Sequence, residues 1–328
     1  MKKTALITGG AGFIGGHLAE ELLSRNYRVL SIDNLSTGTM RNIDGLKDNK
    51  DFSHVTADII SNENRGILAE MVDRADVVYH LAAAVGVQNV VDHPSETIKI
   101  NLLGTENVLE EATKKGKRVF VASTSEVYGK NDAKDFVEDK DILLGASKNS
   151  RWCYAVSKLM DEHLAFAYFR EKKLPVTLAR LFNTIGERQT GRYGMVVPRF
   201  IEWALKNEPI QVYGDGNQSR CFCYVKDSVR AIIGLMESDE TKVAGELYNI
   251  GNPQEITMID LAQKVRGVCK SQSEIKLIPY EQAYSSGFED MRRRVPNIDK
   301  IKATIGWQPK TSLNEILERT RDYIAENS

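Results

Sequence analysis

The chain has 328 residues, 42% of them hydrophobic and 27% charged, which is material for one large or two modest cores. With 44 basic against 45 acidic residues the net charge is −1, which argues against a nucleic-acid or polyanion partner. No apolar run reaches the roughly 18 residues of a membrane helix, no signal peptide follows Met1-Lys-Lys, and four cysteines read as free thiols without metal or disulfide, so a cytoplasmic protein is expected.

The elements follow in order. A short apolar strand is predicted over 3–8, then a glycine turn, then an amphipathic helix over about 13–26. A second strand covers 27–32 and ends at Asp33. Further short strands are expected at 55–58, 75–81, 117–123 and 176–181, with helical segments between most of them. Strands alternating with helices predict an α/β fold, a doubly wound parallel sheet of the Rossmann type with helices on both faces. After about residue 180 the rhythm changes. A loop is expected over 183–194, a helix over 196–206, strands at 210–213 and 220–225, a helix over 228–237, a returning strand at 246–250, and a helix over 257–269 with Thr257 as N-cap. We therefore expect a dinucleotide domain over 1–180, with a return near 226–250. A smaller mixed α/β substrate lobe takes 181–225 and 251–328.

Gly9, Gly12 and Gly15 have separate physical reasons. The first allows a tight strand-to-helix turn, the second lets backbone approach a pyrophosphate at the helix N-terminus, and the third allows close packing. Their spacing is G-x-x-G-x-x-G rather than the common fingerprint. Asp33, at the end of the second strand, can accept from both adenosine ribose hydroxyls and repels a 2′-phosphate, which predicts NAD over NADP. Asp58 is placed to reach the adenine. Leu81, Ala82 and Ala83 end the fourth strand with small residues that let backbone pass close to the cofactor. His80 before them reads as an interior histidine bonded to backbone. Tyr154 and Lys158, four apart, share one face of a helix. An ammonium beside a phenol lowers its pKa and makes a general base.

Together Thr8-Gly-Gly-Ala-Gly-Phe-Ile-Gly15, Asp33-Asn34, His80-Leu-Ala-Ala83, Asn101 and Tyr154-x-x-x-Lys158 resemble the extended short-chain dehydrogenase/reductase superfamily. Arg180-Leu-Phe-Asn183, Tyr213-Gly-Asp-Gly216 and Tyr248-Asn-Ile-Gly251 extend the match over nearly the whole chain. The resemblance implies action on a nucleotide-diphospho-sugar. It adds Phe13, Ile14, Asn34 and Ile59 to the cofactor contacts. It makes Thr124 the partner of the sugar hydroxyl being oxidised, and Asn101 a residue that holds Lys158 through water. Asn183 and Arg220 would meet phosphate, and Val197 and Arg199 would line the base pocket. A homodimer through two helices, near 101–114 and 154–171, is also implied. The second helix carries an apolar stripe of Ala155, Leu159, Leu164, Ala165 and Phe169.

The reaction turns on Ser125 and Glu126. Galactose-type 4-epimerases usually lack a carboxylate here, and deoxythymidine-diphosphate hexose 4,6-dehydratases carry Asp-Glu. Thr-Ser-Glu resembles UDP-glucuronate decarboxylases, although GDP-mannose 4,6-dehydratases share it. Arg151, before the catalytic tyrosine, and Arg294, in the segment 288–296, resemble decarboxylase positions. Arg294 is expected to serve decarboxylation or to bind substrate. Of the three arginines at 292–294, at least one is expected to face a phosphate. The expected function is oxidation at C4 with UDP-glucuronate decarboxylation ranked first. A 4-epimerase or 4,6-dehydratase of UDP- or GDP-hexose and a net C4 dehydrogenase or reductase stay open. A non-catalytic NAD sensor would have lost Thr124, Tyr154 or Lys158.

Overall fold

The computed structural model describes residues 2–131, 133–191, 194–279, 282 and 291–327. Seven parallel strands form the central sheet: β1 (Thr4–Thr8), β2 (Arg28–Asp33), β3 (Phe52–Thr56), β4 (Val77–His80), β5 (Arg118–Thr124), β6 (Val176–Leu181) and, after four short strands, β11 (Glu246–Ile250). Their order is β11-β6-β5-β4-β1-β2-β3, so the chain reverses direction across the sheet between β1 and β4. That crevice, at the carboxyl ends of the strands, is where doubly wound sheets bind ligands.

Alternation along each strand builds two cores. In β1, Ala5 and Ile7 face one core and Leu6 the other. The first core is roofed by α1 (Phe13–Ser24), α7 (Val225–Glu237) and α10 (Asp299–Ile305). The second lies under α2 (Arg65–Arg74), α4 (Pro94–Lys115) and α5 (Trp152–Lys172). α3 (Val87–Asp92) leads into α4, whose first turn holds Pro94 and whose end is Gly116 at φ +60°. A third core joins α6 (Val196–Leu205), α9 (Met258–Val268) and α11 (Leu313–Glu326) around β8 (Ile210–Tyr213), which pairs with β13 (Ile275–Ile278). The short helix α8 (Glu240–Val243) precedes β11.

Several expected elements move. β3 starts three residues early because it pairs with β2 from Val29↔Phe52 to Asp33↔Thr56. It is a half-buried edge strand, so its hydrophobic signal is weak and Asp58 lies beyond its end. The strand expected at 220–225 breaks at Phe222 into β9 (Ser219–Cys221) and β10 (Cys223–Tyr224). β9 pairs with β12 (Glu255–Thr257), and β10 with β7 (Thr184–Ile185), which lies inside the expected loop. Thr257 does cap α9, accepting from the Asp260 N–H at 3.1 Å. The stripe on α5 faces inward: Ala155 and Ala165 are fully buried, and Leu159, Leu164 and Phe169 pack on the cores. On these two helices, among the described residues, the large apolar side chains left exposed are Val156 and Met160 on α5 and Ile98 and Leu103 on α4, each about 40–48% accessible.

Candidate active site

One cavity of about 530 Å³ runs along the carboxyl ends of the strands. At one end lie Asp33, Asn34, Asp58 and Ile59. In the middle are Gly9, Gly12, Phe13, Ile14 and Gly15 opposite Leu81, Ala82 and Ala83. At the far end are Thr124, Ser125, Glu126, Arg151, Tyr154, Lys158 and Arg294, with Asn183, Val197, Arg199 and Arg220 on the wall of the C-terminal lobe. Of the residues expected in the site, Asn101 alone is absent from the lining.

The glycine turn is shaped by close backbone contacts. Gly9 has φ +74°, and a Cβ there would sit 2.8 Å from the Ala82 nitrogen. A Cβ on Gly15 would collide with the Gly9 carbonyl, with Gly10 Cα only 2.8 Å away. The first turn of α1 therefore lies directly on β1, and Gly12, its N-cap, offers no side chain to occupy the helix end. Asp33 is oriented by backbone: its carboxylate accepts from the N–H of Ala11 at 3.1 Å and of Leu35 at 2.8 Å. Burial raises its pKa, and these amides oppose the shift. Asn34 donates to Asp58 at 3.2 Å, so the two form one rim.

The catalytic end departs from expectation in two ways. Tyr154 is buried and its pKa is raised, not lowered: burial dominates, the Glu126 charge adds to it, and a hydrogen bond with Thr124 opposes it. Lys158 does not offset this because its ammonium is already paired, 2.6 Å from the Asp161 carboxylate. Asn101 bonds the lysine's helix directly. It donates to Ser157 Oγ at 2.9 Å and accepts from the Ala84 N–H at 2.8 Å, tying α5 to the loop after β4. His80 is interior as expected, but its partners are hydroxyls, Thr8 at 2.7 Å and Thr105 at 3.1 Å, rather than backbone. Burial, with the Lys158 charge, pushes its pKa down to about 3, so it stays neutral.

Glu126 lies between two arginines. Arg151 contacts one oxygen, and Arg294 Nη1 donates to the other at 2.7 Å. All three residues are buried. Burial works against the Glu126 charge, but the two guanidiniums overcome it and hold the carboxyl well below its ordinary range. Glu126 is thus held as the counter-ion of Arg151 and Arg294. Both guanidiniums line the cavity beside Glu126. Of the other arginines at 292–294, Arg293 pairs with Glu255 at 2.7 Å and Arg292 is exposed. The segment 288–296 lies partly outside the described residues, which resume at Met291.

On the opposite wall, Asn183 spends its amide on the Cys221 carbonyl at 3.1 Å, pinning the loop after β6 to β9. Arg220 donates to the Ser219 carbonyl at 2.7 Å. Arg199 stacks on Trp203 and Tyr213, with ring centroids 4.9 and 5.0 Å from its guanidinium carbon. Three residues escape a sequence reading. Arg188 bridges the Asn42 carbonyl at 2.7 Å and Glu20 at 2.5 Å. Glu162 receives a two-pronged bond from Arg180, at 2.9 and 2.7 Å, and one from Ser123 at 2.5 Å. Asp161 holds Lys158. A signal for the last two existed: acids at i+3 and i+4 from Lys158 must meet the same helix face.

Similarity to known proteins bears on this geometry. The family model described as GDP-mannose 4,6 dehydratase matches residues 6–320. A UDP-N-acetyl-alpha-D-glucosaminuronate decarboxylase of Bacillus cytotoxicus is 42% identical over 327 residues, 99% of both chains. UDP-glucuronic acid decarboxylase 1 of Danio rerio is 35% identical over 99% of this chain and 73% of its own. The crystal structure of a UDP-glucuronic acid 4-epimerase from Bacillus cereus, in complex with UDP-glucuronic acid and NAD, superposes with a TM-score of 0.88. It is 28% identical over 99% of this chain and all of the other. Among the described residues no helix is long and apolar enough to cross a membrane.

Proposed function

The chain belongs to the GDP-mannose 4,6 dehydratase family of extended short-chain dehydrogenase/reductases, and on that premise we propose that it is an NAD-dependent decarboxylase of a UDP-linked hexuronate. UDP-glucuronate is the first candidate substrate. Its 2-acetamido analogue stands beside it, because the relative that is 42% identical is named for that substrate.

The residues fit NAD. The glycine turn leaves backbone and a bare helix N-terminus for a pyrophosphate, and Asp33 is pre-aimed at a ribose. When bound, NAD supplies a two-electron acceptor that later returns the same electrons, so no outside oxidant is needed. Tyr154 takes the O4 proton of the sugar, with Thr124 sharing that hydroxyl. Once C4 is a ketone, the carboxylate on C5 lies β to it. The C5–C6 bond then breaks, its electron pair passes into the enolate, and carbon dioxide leaves. A proton from solvent replaces it at C5.

The observation that carries this reading is the Arg151–Glu126–Arg294 cluster. Its two guanidiniums line the cavity, and their forked donors suit a uronate carboxylate. Dehydration would need an acid for the C6 hydroxyl, yet Glu126 is held ionised and Ser125 has no carboxyl. The test is to incubate the protein with NAD and either UDP-hexuronate and to weigh the sugar nucleotides. A product lighter by carbon dioxide supports the reading. An isomer of unchanged mass, or water lost from a UDP- or GDP-hexose instead, overturns it.

We also place the enzyme in the cytoplasm, on its four free cysteines, and as a homodimer through α4 and α5, on the exposed Ile98, Leu103, Val156 and Met160. The chain is read as a dinucleotide domain over 1–180 with a return near 226–250, and 181–225 with 251–328 as the substrate lobe.

A further inference from the structure

Asp161 is a buried carboxylate that the proposed reaction does not use. Its side chain is fully inaccessible, and that of Lys158 is 3% accessible. A carboxylate in such a place is costly unless paired, and its partner is the one ammonium the chemistry needs. The geometry points to a role. An ammonium has three hydrogens. One is committed to Asp161 at 2.6 Å, one turn further along α5. Lys158 lines the cavity and Asp161 does not.

We propose that Asp161 is the positioning residue of Lys158: it anchors one ammonium hydrogen, aims the other two at the cavity, and by its charge sets the pH at which Tyr154 accepts a proton. This rests on Tyr154 and Lys158 being the base and its partner. Among the described residues, charged and titratable groups face the pair from several elements. Glu126 and, through it, Arg151 and Arg294 act on Tyr154 from the end of β5, where Thr124 bonds it. His80 on β4 faces Lys158 but is neutral, and Glu162 beside Asp161 is matched by Arg180 from β6. On α4, Thr105 supports the Asp161 carboxylate. The Asp161 charge is thus the group that cancels the lysine's field, and it adds to the forces keeping Tyr154 protonated.

The test compares wild type, Asp161→Asn and Asp161→Glu, each saturated with NAD and each referenced to the same background carrying Tyr154→Phe. The readout is ultraviolet tyrosinate absorbance against pH, which needs no substrate. Asp161→Asn is expected to lower the Tyr154 midpoint by roughly one pH unit, and Asp161→Glu to leave it near wild type. Asp161→Ser is a second neutral variant if the amide does not fold. Coincident midpoints for the neutral variants and wild type overturn the proposal. So does a lowered midpoint in Asp161→Glu, which would make packing rather than charge the cause. The same proteins are then given UDP-glucuronate and, separately, its 2-acetamido analogue. A shifted midpoint without carbon dioxide release supports the role of Asp161 while sinking the decarboxylase reading.

Discussion

At the residue scale, the functional weight sits on charges that neutralise one another out of water. Glu126 with two arginines, Lys158 with Asp161, and Arg180 with Glu162 are each buried ion groups. Breaking such a group by removing one partner typically costs about 3–5 kcal/mol, because the charge left behind stays buried. Glu126→Gln is therefore expected to lower unfolding stability by roughly that amount at neutral pH. The pH dependence has a definite sign. Glu126 has a depressed pKa when folded, so its contribution is fully present above the ordinary glutamate value and is lost as the medium is acidified toward the depressed one. Denaturant unfolding of the two proteins should show a constant gap above about pH 5 that narrows below it. A gap that does not change on acidification would mean that Glu126 is not held as a carboxylate. Sequence alone places Glu126 in the site, but its charge state depends on Arg294, which is 168 residues away. No local pattern carries that.

At the element scale, the β1–α1 turn shows the sequence at its most legible. Gly9, Gly12 and Gly15 predict where backbone must come close, and the contacts of Gly9 with Ala82 and of Gly15 with Gly9 and Gly10 supply the reason. In an open helix, Gly→Ala stabilises by up to about 1 kcal/mol. At Gly15 the opposite is expected, because the methyl meets backbone that cannot yield. Gly15→Ala should lower the melting temperature and weaken NAD binding at least tenfold by calorimetry. Unchanged affinity would remove the argument for close approach. Elements that pair across long separations were harder to read. Residues 220–225 look like one strand, yet they split because β9 answers to β12 and β10 to β7. β3 was misplaced because only part of an edge strand is buried. The spare face of α5 was left open for a related reason. Apolar spacing marks a stripe, but it does not say whether the sheet or solvent lies beneath it.

At the scale of the whole molecule, the central sheet and the C-terminal lobe bring residues from 9 to 294 onto one cavity. The doubly wound parallel sheet was legible because alternation of strand and helix leaves few handed solutions, whereas the order of its strands comes from the structure. The apolar run at 246–250 marked a returning strand, and the structure pairs it with β6. The exposed apolar residues on α4 and α5 predict that Met160→Glu converts a dimer to a monomer in sedimentation equilibrium. A wild-type protein that is already monomeric would refute that interface. The central claim is that the site oxidises C4 in order to release the C5 carboxyl group. It is tested most directly by running the UDP-hexuronate reaction in heavy water. The account predicts a UDP-pentose that has lost carbon dioxide and carries one solvent deuterium at C5, with no net accumulation of NADH. A UDP-hexuronate isomer that keeps its carboxyl group and takes up no deuterium would contradict it.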